Sequence, residues 1–174
     1  MKRLFYLLAV FSLSLFVSCD EGDGKEETLK ESRTLPKGMI EYDLTKHGLP
    51  LVAVIPDTID QPVIVDIKDW GETTFAVGKY FQVQIAEGGD MELKRSDLAE
   101  DLLYKSTYFI EEEDAIMYKQ EIPDGGVKPQ YHFYLVATIN GIQYEIQDVK
   151  SDIFYTSKAA ERMLEASKLI ITAN

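Results

Sequence analysis

Two histidines, His47 and His132, one cysteine, Cys19, and one tryptophan, Trp70, are the scarce chemistry-bearing side chains of this 174-residue sequence. A histidine can act as a general base, and a Ser-His-Asp arrangement needs no proximity in sequence. The chain has no Gly-x-Ser-x-Gly elbow to present a nucleophile, however. Thirty acids supply many carboxylate pairs, so a pair by itself is no glycosidase signal. The run Glu111-Glu112-Glu113-Asp114 suggests a metal, but successive strand residues point to opposite faces, so it reads as a solvated turn. Gly125-Gly126 lies in a Pro-flanked loop between strands, not at a strand-to-helix junction, and so fails as a phosphate loop. His132 falls on the polar face of a hairpin and His47 near the start of the folded part; both read as surface histidines. No residue is assigned to catalysis, to a cofactor or to a metal. Trp70, in the turn sequence Lys68-Asp69-Trp70-Gly71, is the candidate ligand-binding residue, an aromatic platform for sugar or peptide. Its other available role is to cover one end of the core.

Cys19 belongs to a different pattern. Met1-Lys2-Arg3 precede an apolar run from Leu4 to Val17, then Ser18-Cys19 and the acidic Asp20-Glu21-Gly22-Asp23-Gly24. An apolar run of about 14 residues is short for a membrane span and suits a secretory signal. Phe16-Val17-Ser18-Cys19 resembles the lipobox of bacterial lipoproteins, with Phe16 where that family favours Leu. The resemblance implies that residues 1–18 are a removed signal peptide and that Cys19 carries acyl chains. The acids behind Cys19 look like the export signal of Bacteroidetes-type lipoproteins, which implies the outer membrane, facing the cell surface or the periplasm. An ordinary secreted protein with a chance cysteine is the alternative. Lipidation would commit the single thiol, leaving no cysteine nucleophile, no cysteine-rich zinc site and no internal disulfide.

The charge balance narrows the partners. The formal net charge is −12, and removal of Lys2 and Arg3 with the signal makes it −14. So acidic a chain is repelled by nucleic acid and by anionic head groups, which excludes nucleic-acid binding. Residues 20–38 are charged and rich in Gly, Ser, Thr and Pro, with only two leucines, and read as a solvated tether. As a coil this segment spans about 25 Å. Its mixture of acids and glycines lacks the ligand order of an EF-hand.

Residues 39–174 read as one α+β domain, an antiparallel sheet packed by two amphipathic helices. Leu51 to Ile55 and Val63 to Ile67 are apolar runs of buried strands, and Thr73 to Val77 and Tyr80 to Ile85 flank Gly78-Lys79. Thr107 to Ile110 and Ala115 to Ile122 are further strands. Asn140-Gly141 is the favoured pair of a two-residue type I′ hairpin, and folding there pairs Ile139 with Ile142, Ala137 with Tyr144 and Leu135 with Ile146. A helix capped by Ser96 runs through Tyr104, and another runs from Ser157 to Ile171 with Ala160, Met163, Leu164, Ser167, Ile170 and Ile171 as its stripe. Its mixed charges favour core packing over a membrane surface.

Ser96 to Ser106 aligns without gaps on Ser157 to Ser167 with five identities in eleven, which suggests two strand-rich halves, each closed by a helix. The hairpin strand Gly141-Ile-Gln-Tyr-Glu-Ile-Gln, the connector through Asp152, Phe154 and Tyr155, and the helix with Ala160-Glu161-Arg162-Met163-Leu164 are similar to the end of PsbP-like domains. That resemblance covers about a third of the chain and implies an α/β/α sandwich with a binding or assembly role and no transferable functional residue. The expected function is a non-enzymatic, membrane-tethered binding, scaffolding or assembly module with a protein or glycan partner and no cofactor. The alternative is a hydrolase or carbohydrate-active accessory lipoprotein built on dispersed acids and Trp70.

Overall fold

The structure, a computed structural model, describes residues 33–58, 61–123, 125–150 and 152–173. The signal, Cys19 and most of the tether lie outside the described residues. Among the described residues every buried apolar one falls between Met39 and Ile170, so the unit from Thr34 onward contains a hydrophobic core of its own.

Two antiparallel sheets make the domain. β1 (Met39–Asp43) and β2 (Leu51–Pro56) form a hairpin about a 3-10 turn at Thr45–His47, and β10 (Ile171–Thr172) flanks β2 on the other side. The larger sheet comprises β3 (Val63–Ile67), β4 (Thr73–Val77), β5 (Phe81–Glu87), β6 (Lys105–Glu111), β7 (Ala115–Glu121), β8 (Gln130–Ile139) and β9 (Ile142–Asp148). Its spatial order is β3-β4-β5-β9-β8-β7-β6, antiparallel throughout. The expected single sheet is therefore two.

The β8–β9 hairpin has the expected register. Asn140 and Gly141 take φ of 51° and 77°, the doubly left-handed pair that a type I′ turn needs. Ile139 faces Ile142, Ala137 faces Tyr144 and Leu135 faces Ile146. Pleating then divides the side chains between two cores. Phe133, Leu135, Tyr144 and Ile146 face helix α2 (Ser157–Ser167), which also packs on β2, whereas Tyr134 faces the opposite side. There Leu98 of helix α1 (Met91–Glu100) packs with Ile116, Tyr118 and Tyr134.

Several elements depart from expectation. α1 starts at Met91, because Asp90 follows the left-handed Gly88-Gly89 and its carboxylate accepts the Leu93 N–H at 2.9 Å. Ser96 is interior to the helix and bonds Glu100 instead. The helix stops at Glu100, where Asp101 accepts the Leu103 and Tyr104 N–H groups, leaving Leu102 and Leu103 exposed. α1 thus buries only Leu98 and is not the amphipathic helix expected. α2 ends at Ser167 and tightens through Leu169 and Ile170 amides, so that Ile171 leaves the stripe and pairs with Val52. The β-branched run Ile170-Ile171-Thr172 suits a strand better than a helix end. β3 is an edge strand, so Ile64 and Ile67 stay 63% and 50% exposed where a buried run was expected.

The two meanders β3-β4-β5 and β7-β8-β9 do meet at the centre, with Ile85 opposite Ile146. Their helices, however, lie on opposite faces. A rotation that superposed the meanders would keep both helices on one face, so the halves are not a simple rotational repeat.

Ile146→Ala opens a void between β5, β8 and α2 and lowers stability by about 2–5 kcal/mol in urea denaturation. Ile64→Ala, on the exposed edge, stays within about 0.5 kcal/mol of the wild type.

Candidate functional site

Buried polar chemistry concentrates where α1 crosses the outer face of β7, β8 and β9. β8 extends beyond the end of β9, so the β8 amides facing β9 outrun the carbonyls available to them. Asp148, the last residue of β9, fills the gap: its Oδ1 accepts the Phe133 N–H at 2.8 Å. Its Oδ2 lies 2.7 Å from His132 Nδ1, and Asp148 itself is 3% exposed. A carboxylate can only accept here, so it fixes the imidazole with Nδ1 as the donor. The His132 ring also packs on Tyr118, with centroids 5.5 Å apart.

Lys94 of α1 reaches down over this floor. Its Nζ lies 4.9 Å from the ring centre of Tyr134 and 5.8 Å from that of Tyr118, within cation–π range of both. Burial, and then the charge of Lys150, hold the Lys94 ammonium below its ordinary value, while Asp148, Glu145 and Asp97 oppose the shift. Tyr134 Oη accepts the Asp90 N–H at 3.2 Å and donates to Glu145 at 3.0 Å. Burial pushes its phenol up to about 12, and burial also raises that of Tyr118, with Asp148 adding to the effect.

Of these groups Lys94, Tyr118 and His132 border a cleft of about 340 Å³, whose walls also include Asp97, Asp101, Gln120, Gln130 and Lys150. Toward the start of α1 a second depression, about 390 Å³, shares Lys94, Asp97 and Lys150 with the first and is lined by Tyr134 and Glu145. The cleft therefore combines a pinned imidazole, a desolvated cation, two amides and two carboxylates. It can satisfy a polar ligand with both donors and acceptors. The His132–Asp148 pair also has the form of an oriented general base.

The residues singled out by sequence lie elsewhere, His132 apart. Cys19 is outside the described residues. Trp70 is 73% exposed in the β3–β4 turn, where its Nε1–H donates to Glu72 at 3.3 Å, so it does not cover the core. It borders a separate depression of about 300 Å³ with Leu49, Ile85 and Tyr144. His47 is half-buried and its Nε2 is 3.1 Å from Tyr42 Oη. His132 is not the surface histidine expected, because its side chain is mostly buried against Asp148 and Tyr118. Glu111 meets Arg95, and Glu112 meets Lys168, at the β6–β7 turn. Among the described residues no three His, Cys, Asp or Glu side chains converge as a metal site.

Lys94 and Asp148 were missed in sequence. A signal for Asp148 existed: it continues the inward column Tyr144, Ile146, and an acid at a core position needs a partner. Lys94 gave none, since the helix was placed to begin after it.

No family model, no curated protein and no solved structure matches the chain.

Asp148→Ala strands the Phe133 N–H and costs about 1–3 kcal/mol in urea denaturation. Asp148→Asn costs less, because its amide oxygen still accepts that N–H. For Lys94 the sign is the reverse of a stabilising pair. The folded chain holds this proton less tightly than the unfolded chain, so the penalty is fully present below the folded value and fades as pH rises towards 10.5. In NMR of dimethylated lysines, Lys94 titrates below 10.5 and moves upward in Lys150→Gln; titration alongside the exposed lysines would contradict the assigned burial.

Proposed function

We propose that this chain is a membrane-tethered extracytoplasmic binding module, held at the bacterial outer membrane through a lipid on Cys19. The α1 cleft is its recognition site, and its partner is a protein or a glycan. The observation that carries this reading is the engagement of the cleft's polar groups with the fold. Asp148, with both oxygens engaged, pins the His132 ring of the cleft, and the cleft's Lys94 rests over the rings of Tyr118 and Tyr134. Such groups are held in place before any ligand arrives, which lowers the ordering cost of recognition. A scaffolding role within a PsbP-like architecture is supported by the order of layers, helix α1, large sheet, helix α2.

The His132–Asp148 pair favours a second reading, a hydrolase in which His132 is the base and an acid of the cleft assists. The two readings separate in one series of measurements. Under the binding reading, saccharide and peptide fragments shift amide resonances around Lys94, Gln130 and His132, and chromogenic ester and glycoside substrates are not turned over. Turnover that His132→Ala abolishes, with the fold intact by circular dichroism, would overturn it. For the anchor, intact-mass measurement of the membrane-extracted protein shows an acyl mass that Cys19→Ala lacks; equal masses and equal membrane fractions would reject lipidation.

A further inference from the structure

A cavity of about 670 Å³ lies apart from the α1 cleft, where the end of β2, the β4–β5 turn and the first turns of α2 meet. Its charge runs against that of the protein. Residues 39–174 contain 24 acids and 12 bases, two acids to each base. The described residues lining this cavity reverse the ratio, with Lys79, Lys158 and Arg162 against Asp57 alone.

Among the described residues, none of the three bases is ion-paired. Lys79 Nζ sits 5.5 Å from the Tyr80 ring centre. Arg162 is held by donating to the Gly38 carbonyl at 3.1 Å and to Met39 Sδ at 3.2 Å, which leaves other guanidinium N–H groups to bond elsewhere. The wall is also fixed at the turn. Gly78, at φ +61°, lies so close to Gln61 that a Cβ would be 1.9 Å from the amide oxygen. Pro56, Val77, Phe81 and Ala159 supply an apolar side.

We propose that this cavity binds the phosphate group of an anionic ligand, with Lys79, Lys158 and Arg162 as its charge partners. Three cations lining one cavity exceed what one carboxylate needs and suit a phosphate, whose several oxygens can each accept a charge-assisted bond. The phosphate can belong to a soluble molecule or to a lipid head group. The acidity of the rest of the domain opposes a flat anionic membrane, so the two sources differ in a measurable way. The site is independent of the α1 cleft and of the anchor.

The test uses residues 34–174, which contain a hydrophobic core of their own, with inorganic phosphate as one probe and vesicles of phosphatidylglycerol in phosphatidylcholine as the other. Phosphate is expected to shift saturably the amide resonances of Lys79, Lys158 and Arg162. Lys79→Gln with Lys158→Gln weakens that binding about tenfold or more, the scale of one charge-assisted hydrogen bond. Lys105→Gln with Lys128→Gln removes the same charge away from the cavity and leaves binding unchanged. Phosphate binding with vesicle binding that falls in the same variant assigns a lipid source; phosphate binding alone assigns a soluble one. Either result supports the site. No saturable shift by phosphate, or an equal loss in the distant pair, overturns it.

Discussion

Two consecutive residues with positive φ, Asn140 and Gly141, set the constraint on which the domain depends. A type I′ turn admits one register between β8 and β9, and in a pleated pair that register decides which face each side chain occupies. A slip of one residue would turn Leu135 and Ile146 away from α2 and bring Glu145, the cross-strand partner of Val136, into the main core. The same register leaves β8 overhanging β9, so the strand end falls at Asp148. Core, cleft floor and strand end are therefore consequences of one turn.

The sheet is covered unequally. α2 presents a continuous apolar stripe of Ala160, Met163, Leu164 and Ala166 to the face that β2 also covers, and the resulting core is large. α1 presents little besides Leu98, and it is held by the Asp90 cap at its start and by Arg95, at its middle, on Glu111. What it lacks in apolar contact is filled by aromatic rings and charges: Tyr118 and Tyr134 under Lys94, Glu145 on Tyr134, His132 on Asp148. A helix so loosely packed leaves two depressions along it, which is why the polar site lies there and not under α2.

The hairpin was legible because turn chemistry and alternation, two local signals, agreed. The strand positions from Leu51 to Val77 were legible from apolar runs bounded by turn residues, as was the burial of Leu51 to Ile55, though not the exposure of β3. Ile64 and Ile67 look like core in sequence; only the order of strands, which is non-local, makes β3 an edge. Helix limits were misread where a short-range competitor won, Asp90 over Ser96 as a cap and β-branched Ile171 over helical continuation. The site was half legible. His132 was identifiable as a scarce residue, but its environment depended on an aspartate 16 positions away and on a lysine from a helix whose face could not be deduced from so weak a stripe. Trp70 was noticed for its rarity, and rarity says nothing of burial.

The claim that the cleft floor is built into the core by the hairpin register is tested most directly by native-state hydrogen exchange of three β8 and β9 amides. Phe133 has a side-chain carboxylate as its acceptor, whereas Leu135 and Ile146 sit in the paired ladder. If Asp148 closes the ladder, the Phe133 amide exchanges only through the same global unfolding as Leu135 and Ile146. If Phe133 exchanges through a low-energy local opening while the other two remain protected, the cleft floor is separate from the core and the account is wrong.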